Sequence, residues 1–312
     1  MGKVIIAATA TGGLPVVVGG SDRIVAAFES LITDHGGVIE TGAEVERIAV
    51  SDGAATGVVL ADGRTINASQ AVVCNVTPQQ LYGRFLDGAP SVPAPVRDAA
   101  EHYRYGRSAM QIHFAVRHAP DWGDDDLNRT AMIHLTPGLD GVSRAVNEAE
   151  RGLLPAEATV VVGQPCTVDP SRAPEGGSIL WIQLQELPRT IVGDAAGEIA
   201  IDGPTAWNTE IAERYADRIQ ARIAAHLPGL DEAIIGRKVF SPVDLEAINP
   251  NLVGGDPYSG ACTIDQNLLW RPSGRTKNHD TPIKGLFHIG AATHPGPGLG
   301  GGSGYLAAKR IC

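Results

Sequence analysis

The stretch 285-GLFHIGAATHPGPGLGGGSGYLAA-308 decides the fold, because it places a glycine-rich segment between an apolar strand and a helix. Residues 285–290 have the short apolar pattern of a buried strand, and residues 303–311 predict the start of a helix. Between them, positions 296 to 304 contain six glycines. Glycine costs backbone entropy, so this density indicates a sharp turn or the close approach of another group to the backbone.

The glycine cluster has several possible functions. Residues 296–301 spell G-x-G-x-x-G, the pattern of a dinucleotide pyrophosphate loop. We do not expect that loop, because an acidic residue should follow about 20 positions later and because Pro295 and Pro297 lack N–H donors. A Walker A loop is excluded because no Lys-Ser/Thr follows the glycines. Two interpretations remain, an anionic or electron-rich ligand at a helix N-terminus and a tight turn that serves packing alone.

The composition limits the classes of function. The 312 residues are 43% hydrophobic and 19% charged, which indicates a large core and about two domains. The net charge of −10, with no basic run and 5% aromatics, argues against nucleic acid and against an anionic membrane surface as partners.

Cysteine spacing and the N-terminal segment bear on location. The cysteines at 74, 166, 262 and 312 lack metal-type spacing, so we expect no zinc site, no disulfide framework and a reducing, cytoplasmic compartment. The apolar segment VIIAATA is interrupted early by Gly12-Gly13 and Pro15, which argues against a signal peptide and a membrane span.

Residues 21–75 predict the order helix, strand, three-stranded meander, buried strand. Ser21 and Asp22 are typical of a helix start, and Gly36-Gly37 predict its end. The predicted strands are VIET (38–41), AEVERIAV (43–50), GVVLA (57–61), RTINA (64–68) and AVVCN (71–75).

The following region predicts a second sheet. Thr77-Pro78 should open a short helix. Strands are predicted at 108–116, 130–135, 158–163, 178–187 and 238–242. No convincing helical pattern separates the first four, which favours an antiparallel sheet, and a helix is predicted over 205–227.

The carboxyl-terminal stretch resembles the flavin-contacting segment of phytoene desaturase-like oxidoreductases, within the larger flavin amine oxidase-like group. Residues 15–48, 72–78 and 258–272 resemble further landmarks of that family, in the same order. The resemblance implies an α/β (α+β) fold. Residues 1–75 and 285–312 would form part of an FAD-binding domain with a β-meander, and residues 76–284 an antiparallel-sheet substrate domain.

The implied activity is that of an FAD-dependent oxidoreductase, which moves hydride between an apolar C–C or C–N substrate and the flavin. By position, Val45 would lie near the adenine, and Gly290 and Ala291 near the ribityl–phosphate region. The pyrimidine edge of the isoalloxazine would be approached by Gly298, Leu299 and Gly300.

The family's strand–GxGxxG–helix unit has no counterpart that we recognise, since Gly12-Gly13 follows no proper strand. The chain is therefore expected to represent the carboxyl-terminal portion of such an enzyme. A separate N-terminal FAD-binding chain or a homodimer would be its partner. Two alternatives remain open, a non-catalytic remnant or subunit that docks on such a chain and a stand-alone module for apolar ligands.

Five side chains are candidates for chemistry or binding. His294, at the mouth of the glycine cluster, could orient a substrate or shuttle a proton, or it could simply cap the turn. Arg271 could hold a flavin or a substrate carboxylate, or form a surface salt bridge. Tyr258 and Trp270 could line a substrate cavity or pack in the core. His288 is expected to be a packed or interface residue.

Overall fold

The computed structural model of the chain describes residues 10, 11, 13, 15–276, 279–298 and 301–312. They form two compact units, each made from two stretches of chain. The first unit contains Met110–Ser241 with the described residues up to Ile39, and the second contains Glu40–Ala109 with Pro242–Cys312. These bounds differ from the predicted domain bounds after residues 75 and 284. The assignment of the predicted domains to cofactor and substrate remains a prediction.

Mixed helices and strands confirm the predicted α/β (α+β) class. The helices are α1 (Asp22–Asp34), α2 (Ala94–Glu101), α3 (Asp125–Arg129), α4 (Leu139–Glu150), α5 (Thr209–Ala224), α6 (Leu230–Ala233), α7 (Pro242–Ile248) and α8 (Gly302–Ile311). The strands are β1 (Val45–Ser51), β2 (Ala54–Leu60), β3 (Thr65–Asn67), β4 (Val72–Cys74), β5 (Ser108–Val116), β6 (Met132–Leu135), β7 (Leu153–Leu154), β8 (Val160–Gly163), β9 (Ser178–Leu187), β10 (Gly193–Asp194), β11 (Ile234–Phe240) and β12 (Leu286–His288).

The first unit is built on a five-stranded sheet with the order β11-β5-β9-β8-β6. Strand β11 runs antiparallel to β5, and β8 runs antiparallel to both β6 and β9. Buried side chains of the sheet and of α5 share one hydrophobic core, which removes their apolar surface from water. The antiparallel sheet and the helix between residues 205 and 227 are therefore confirmed.

Helix α4 corrects the expectation that no convincing helix separates the strands of this sheet. It lies between β6 and β8 and buries Gly141, Ala145 and Ala149. These residues recur at helical spacing, but they are small. Together with Val142 and Val146 they nevertheless form one apolar face of helical period, a signal for this helix that the prediction missed.

Helix α1 confirms the predicted helix after Ser21, but none of its side chains is buried among the described residues. Val25, Phe28 and Leu31 are 59%, 58% and 54% exposed. The apolar stripe that identifies the helix in the sequence thus faces solvent in the described chain.

Asp169 anchors the segment before α1 to the rest of the first unit. Its carboxylate accepts hydrogen bonds from Ser171 Oγ at 2.6 Å, Gly19 N at 2.8 Å and Arg172 Nε at 3.0 Å. The guanidinium of Arg172 also donates to the carbonyl of Val17. These bonds, led by those from Ser171 and Gly19, lower the pKa of Asp169 to about 2.

We expect Asp169→Asn to lower the Tm of the first unit at neutral pH but not near pH 2. A carboxylate with a lowered pKa stabilises the fold above its unfolded-state pKa of 3.8 and loses that contribution as the pH falls to about 2. Calorimetry between pH 2 and pH 7 measures the difference, with the exposed Asp202→Asn as control. A Tm difference that persists unchanged at pH 2 would contradict this assignment.

The second unit contains the predicted meander and a parallel pair of strands. Strands β1, β2 and β3 form an antiparallel sheet in that order. Strand β4 pairs in parallel with β12, so that Val72 lies opposite Leu286. The backbone N–H of Ala55 donates to the carbonyl of Lys284 at 2.9 Å, which attaches the meander to the segment before β12.

One predicted strand of this region is absent. VIET, residues 38–41, has no strand conformation, and Val38 is 90% exposed. An isolated apolar run cannot form a strand without a neighbouring strand to satisfy its backbone N–H and C=O groups. The short helix predicted at Thr77-Pro78 does form, and it continues into a π-helix over Gln80–Phe85.

Candidate functional site

The candidate site is the turn between β12 and α8. Residues 290–298, called the glycine turn below, leave the end of β12 after Ile289, whose N–H donates to Cys74 O at 2.8 Å. Gly290 has a φ of 92°, and a Cβ placed on it would lie 3.4 Å from the Cα of Asn75. Its N–H donates to Ser303 Oγ in the first turn of α8, at 3.0 Å. The end of the strand and the start of the helix are thus joined directly.

Thr293 closes the glycine turn on itself. It is 1% exposed, and its hydroxyl and its N–H donate to Gly290 O at 3.0 and 3.1 Å. The N–H of Gly296 then donates to Thr293 O at 2.7 Å. These bonds give the segment a fixed shape without strand or helix.

The part of the turn nearest α8 has open space beside its backbone. Gly298 has a φ of 156°, and a Cβ there would meet no described atom within 4 Å. Gly301, at the N-cap of α8, has a φ of 61°, and among the described residues no side chain caps this helix. The first N–H groups of α8 and the positive end of its dipole are consequently available to an electron-rich group. Leu299 and Gly300 lie outside the described residues.

His294 lies within the glycine turn and is half-buried. Its Nδ1 is a buried atom with no hydrogen-bond partner among the described residues. The ring therefore makes no hydrogen bond that would cap the turn through Nδ1. Nδ1 thus remains able to donate or accept a hydrogen bond. The catalytic role of His294 remains a prediction.

Arg271 is buried beneath the turn, and its guanidinium is surrounded by backbone carbonyls. Its Nε donates to Ala291 O at 2.7 Å, and its Nη2 donates to Tyr258 O at 2.6 Å. Longer bonds of 3.4 Å reach the carbonyls of Gly260, Ala261 and Gln266.

The side chain of Arg271 is only 3% exposed, so the surface salt bridge considered for this residue is not formed. A Cβ on Gly296 would lie 3.9 Å from the Cδ of Arg271, so the aliphatic part of the Arg271 side chain lies against the glycine turn. Arg271 thus joins the loop 258–266 to the glycine turn through its hydrogen bond to Ala291.

The remaining predicted site residues of the described chain are Tyr258, Trp270, Ala291 and Val45. The carbonyls of Tyr258 and Ala291 meet at Arg271, whereas the rings of Tyr258 and Trp270 are 39% and 51% exposed and do not pack in a core. Val45 begins β1 opposite Leu60, in the same compact unit.

The sequence did not identify Asp256, which organises the same loop. Asp256 is fully buried and accepts from Gly106 N at 2.7 Å, Gly260 N at 2.8 Å and Tyr258 N at 2.8 Å. The sequence GGDPYSG contains the Asp and Gly residues of a turn, which is the only signal for this role.

His288 and His279 form a second feature that was not predicted as a site. His288 Nε2 donates to Val76 O at 2.6 Å, and His279 Nδ1 donates to His288 O at 3.0 Å. Burial lowers the pKa of His288 to about 4 and lowers the pKa of His279 as well. Both imidazoles are therefore neutral at pH 7, and the prediction that His288 is packed is confirmed.

Two other kinds of site receive no support from the described part of the chain. No three His, Cys, Asp or Glu side chains are grouped there closely enough to hold a metal ion. No helix within the described ranges combines the length and apolarity needed to cross a bilayer.

Comparisons with known proteins relate this arrangement to a group of oxidoreductases. No protein-family model matches the chain. The chain is 28% identical over 312 residues to the rat "Pyridine nucleotide-disulfide oxidoreductase domain-containing protein 2", covering 96% of this chain and 51% of that protein. It is 31% identical over 299 residues to a lycopene-forming phytoene desaturase from a Paracoccus strain, covering 95% of this chain and 54% of the relative.

The fold has relatives among solved structures. Cyclohexylamine oxidase from Brevibacterium oxydans superposes with a TM-score of 0.54 at 14% identity, covering 94% of this chain and 52% of the other. At that identity the likeness shows the fold alone. The chain spans about half the length of the curated relatives it matches. Its sequence similarity to phytoene desaturases confirms the predicted resemblance to phytoene desaturase-like oxidoreductases.

Proposed function

We propose that this chain is the flavin-facing and substrate-facing part of an FAD-dependent oxidoreductase that oxidises a C–C or C–N bond of an apolar substrate. The observation that carries the proposal is the unit formed by β12, the glycine turn and α8. Among the described residues it combines a close backbone approach at Gly290 with open space at Gly298 and a helix N-terminus that no side chain caps. The similarity to phytoene desaturases supports it.

The residues present fit the ring end of FAD. The peptide groups of Gly290 and Ala291 would pass the ribityl–phosphate region, and Val45 would lie at the adenine. Gly298, with Leu299 and Gly300, would face the pyrimidine edge of the ring. The N-terminus of α8 would there stabilise negative charge, as helix N-termini do. FAD, when bound, supplies the two-electron acceptor.

The side chains around the turn would serve the substrate. Exposed aromatic rings at Tyr258 and Trp270 offer apolar surface to a polyene, an alkene or an amine. His294 would accept the proton that is released when the substrate is oxidised, since one of its ring nitrogens has no hydrogen-bond partner among the described residues. Arg271 would hold the loop and the turn together and give the site a fixed positive charge.

We also propose a partner for this chain, either a separate N-terminal FAD-binding chain or a second copy in a homodimer. The exposed apolar residues of α1 favour such a partner, because an amphipathic helix normally buries that stripe. A non-catalytic subunit that only docks on such a chain is the second candidate. A cytoplasmic location is proposed from the sequence spacing of the four cysteines, which lacks the pattern of a disulfide framework.

The visible absorption spectrum of the purified chain, mixed with FAD and then desalted, tests the proposal. We expect saturable flavin binding that Gly298→Ala weakens about tenfold or more. The new methyl group would enter the open space, and a φ of 156° strains alanine. Gly83→Ala is the matched control, because a Cβ there meets nothing described within 4 Å and its φ is not positive.

Each outcome of the spectrum decides between the candidates. A folded chain that stays colourless at every FAD concentration, alone and with a dinucleotide-binding partner, would refute a flavin site on this turn. Binding that appears only with the partner, and that is insensitive to Gly298→Ala, would favour the docking subunit.

A further inference from the structure

The five-stranded sheet of the first unit carries, on its second face, four side chains that the proposed function does not use. Lys238 of β11 lies directly opposite His113 of β5, and Phe240 lies directly opposite Gln111 in the same ladder. The residues that alternate with them, such as Ile112, belong to the hydrophobic core. Because successive side chains of a strand point to opposite faces, these four share the face away from that core. They are called the sheet patch below.

The side chains of the sheet patch contact one another. The imidazole of His113 meets the ring of Phe240 edge to face, with 5.6 Å between the ring centroids and an angle of 86° between the planes. The ammonium nitrogen of Lys238 lies 5.4 Å from the centroid of the same ring, a cation–π contact. Nε2 of His113 lies 3.3 Å from Oε1 of Gln111. One apolar ring is thus bordered by a cation, an imidazole and an amide in a fixed arrangement.

No carboxylate balances the charge of Lys238. The neighbouring Arg237 lies on the other face of the strand and forms ion pairs with Glu213 and Asp217 at 2.6 and 2.7 Å. Lys238 is exposed, and among the described residues it forms no ion pair. Burial lowers the pKa of His113, so that imidazole is neutral at pH 7 and adds no second charge. The sheet patch therefore has a net charge of one ammonium group.

The other strands add no anion to this face. Strands β9, β8 and β6 present Gln183, Val161 and His134 side by side on it. None of the ladder positions that the five described strands turn to this face is Asp or Glu, although the chain contains 35 of these residues. A face that keeps one cation and has no carboxylate beside it is complementary in charge to an anion.

We propose that the sheet patch is a binding site for a small carboxylate with a flat apolar body. The carboxylate would accept hydrogen bonds from the ammonium group of Lys238 and from the amide nitrogen of Gln111, whose oxygen is directed at His113. The apolar body would lie against the ring of Phe240, which an inorganic anion could not use. This site goes beyond the proposed function, since it requires no flavin and lies within the first unit.

Benzoate is the probe for this site, and NMR of the His113 imidazole at pH 7 follows its binding, with His113→Asn to assign the signal. We expect saturable shifts with a Kd of about 1–10 mM, the range for a ligand of this size. Benzyl alcohol has the same ring without the charge. It should bind about tenfold more weakly or less well still, the factor that one hydrogen bond to a charged group provides.

Three variants assign the binding to Lys238. Lys238→Met removes the charge and should weaken benzoate about tenfold or more, with benzyl alcohol unaffected. Lys238→Arg keeps the charge and should stay within about threefold of the wild type. Lys309→Met is the matched control, because Lys309 also lies over an aromatic ring, 4.7 Å from the centroid of Tyr305, but on helix α8.

The contrary results are equally definite. The absence of saturable shifts, or a Lys238→Met protein that binds benzoate like the wild type, would overturn the site. Equal affinities for benzoate and benzyl alcohol would overturn the carboxylate class. An equal loss in Lys309→Met would mean that exposed lysines attract the anion in general, which would also overturn the proposal. Because no measurement uses FAD, a failure of flavin binding would leave these results unchanged.

Discussion

Replacing Arg271 by leucine should destabilise the second unit by about 3–5 kcal/mol and loosen the glycine turn. Removing one partner from a buried, charged hydrogen-bond system leaves the other groups unsatisfied, which is the origin of a loss of this size. Here the carbonyls of Ala291 and Tyr258 lose donors at 2.7 and 2.6 Å, and four longer bonds of 3.4 Å are lost with them. Leucine fills part of the space but supplies no donor.

Two further variants separate the effect of the positive charge from that of the planar guanidinium, and both from the effect of any substitution in this segment. Arg271→Lys keeps the positive charge but not the planar arrangement of donors, so it should recover only about half of the loss. Arg275→Leu is the control, because Arg275 lies four positions later and is exposed, and it should change stability by less than about 0.5 kcal/mol.

Urea unfolding measures the global loss, and hydrogen exchange of the peptide 285–298 measures the local one. The expected pattern is faster exchange at Gly296 in Arg271→Leu but not in Arg275→Leu. If Arg271→Leu unfolds at the wild-type urea concentration and exchanges at the wild-type rate, Arg271 does not hold the turn. Its carbonyl bonds would then contribute nothing measurable.

The features that could be predicted from the sequence are those with a strong local pattern. Apolar residues alternate from Met110 to Val116 in β5 and from Leu180 to Leu184 in β9, and both strands form over the predicted ranges 108–116 and 178–187. The strand, glycine turn and helix at 285–311 were also predictable. Glycine at positive φ and an apolar strand leave few alternatives there.

The features that escaped prediction depend on contacts between distant parts of the chain. Residues 38–41 have strand character but no neighbouring strand among the described residues. The role of Arg271 depends on carbonyls up to 20 positions away. A basic residue before a proline carries no signal for a buried cation, which explains why a surface ion pair was an equally good hypothesis.

Asp256 complements Arg271 within one loop. The carboxylate receives N–H groups of Tyr258 and Gly260, and the guanidinium donates to the carbonyls of the same two residues. One buried anion and one buried cation thus satisfy both sides of the same peptide segment. They do so without forming an ion pair with each other among the described contacts. The conformation of residues 256–271 therefore depends on both charges.

We expect Asp256→Ala to destabilise the second unit by about 3 kcal/mol or more, because three backbone N–H groups, one of them in a fully buried bond, lose their acceptor at once. Asp256→Asn retains one acceptor, the oxygen of its amide, and should recover part of this loss. Asp87→Ala removes an exposed carboxylate of the same unit and should change the free energy of unfolding by less than about 0.5 kcal/mol.

A double-mutant cycle between Asp256→Ala and Arg271→Leu decides whether the two residues hold one structure. If they do, the free energy of unfolding should fall in the double variant by about 1 kcal/mol or more less than the sum of the two single losses. The second substitution then acts on a loop that the first has already released. Residues coupled in this way show interaction energies of ~0.5–3 kcal/mol. Urea unfolding of the four proteins gives the coupling energy directly. Strict additivity would mean that the anion and the cation stabilise separate segments, and Arg271 alone would then set the position of the glycine turn.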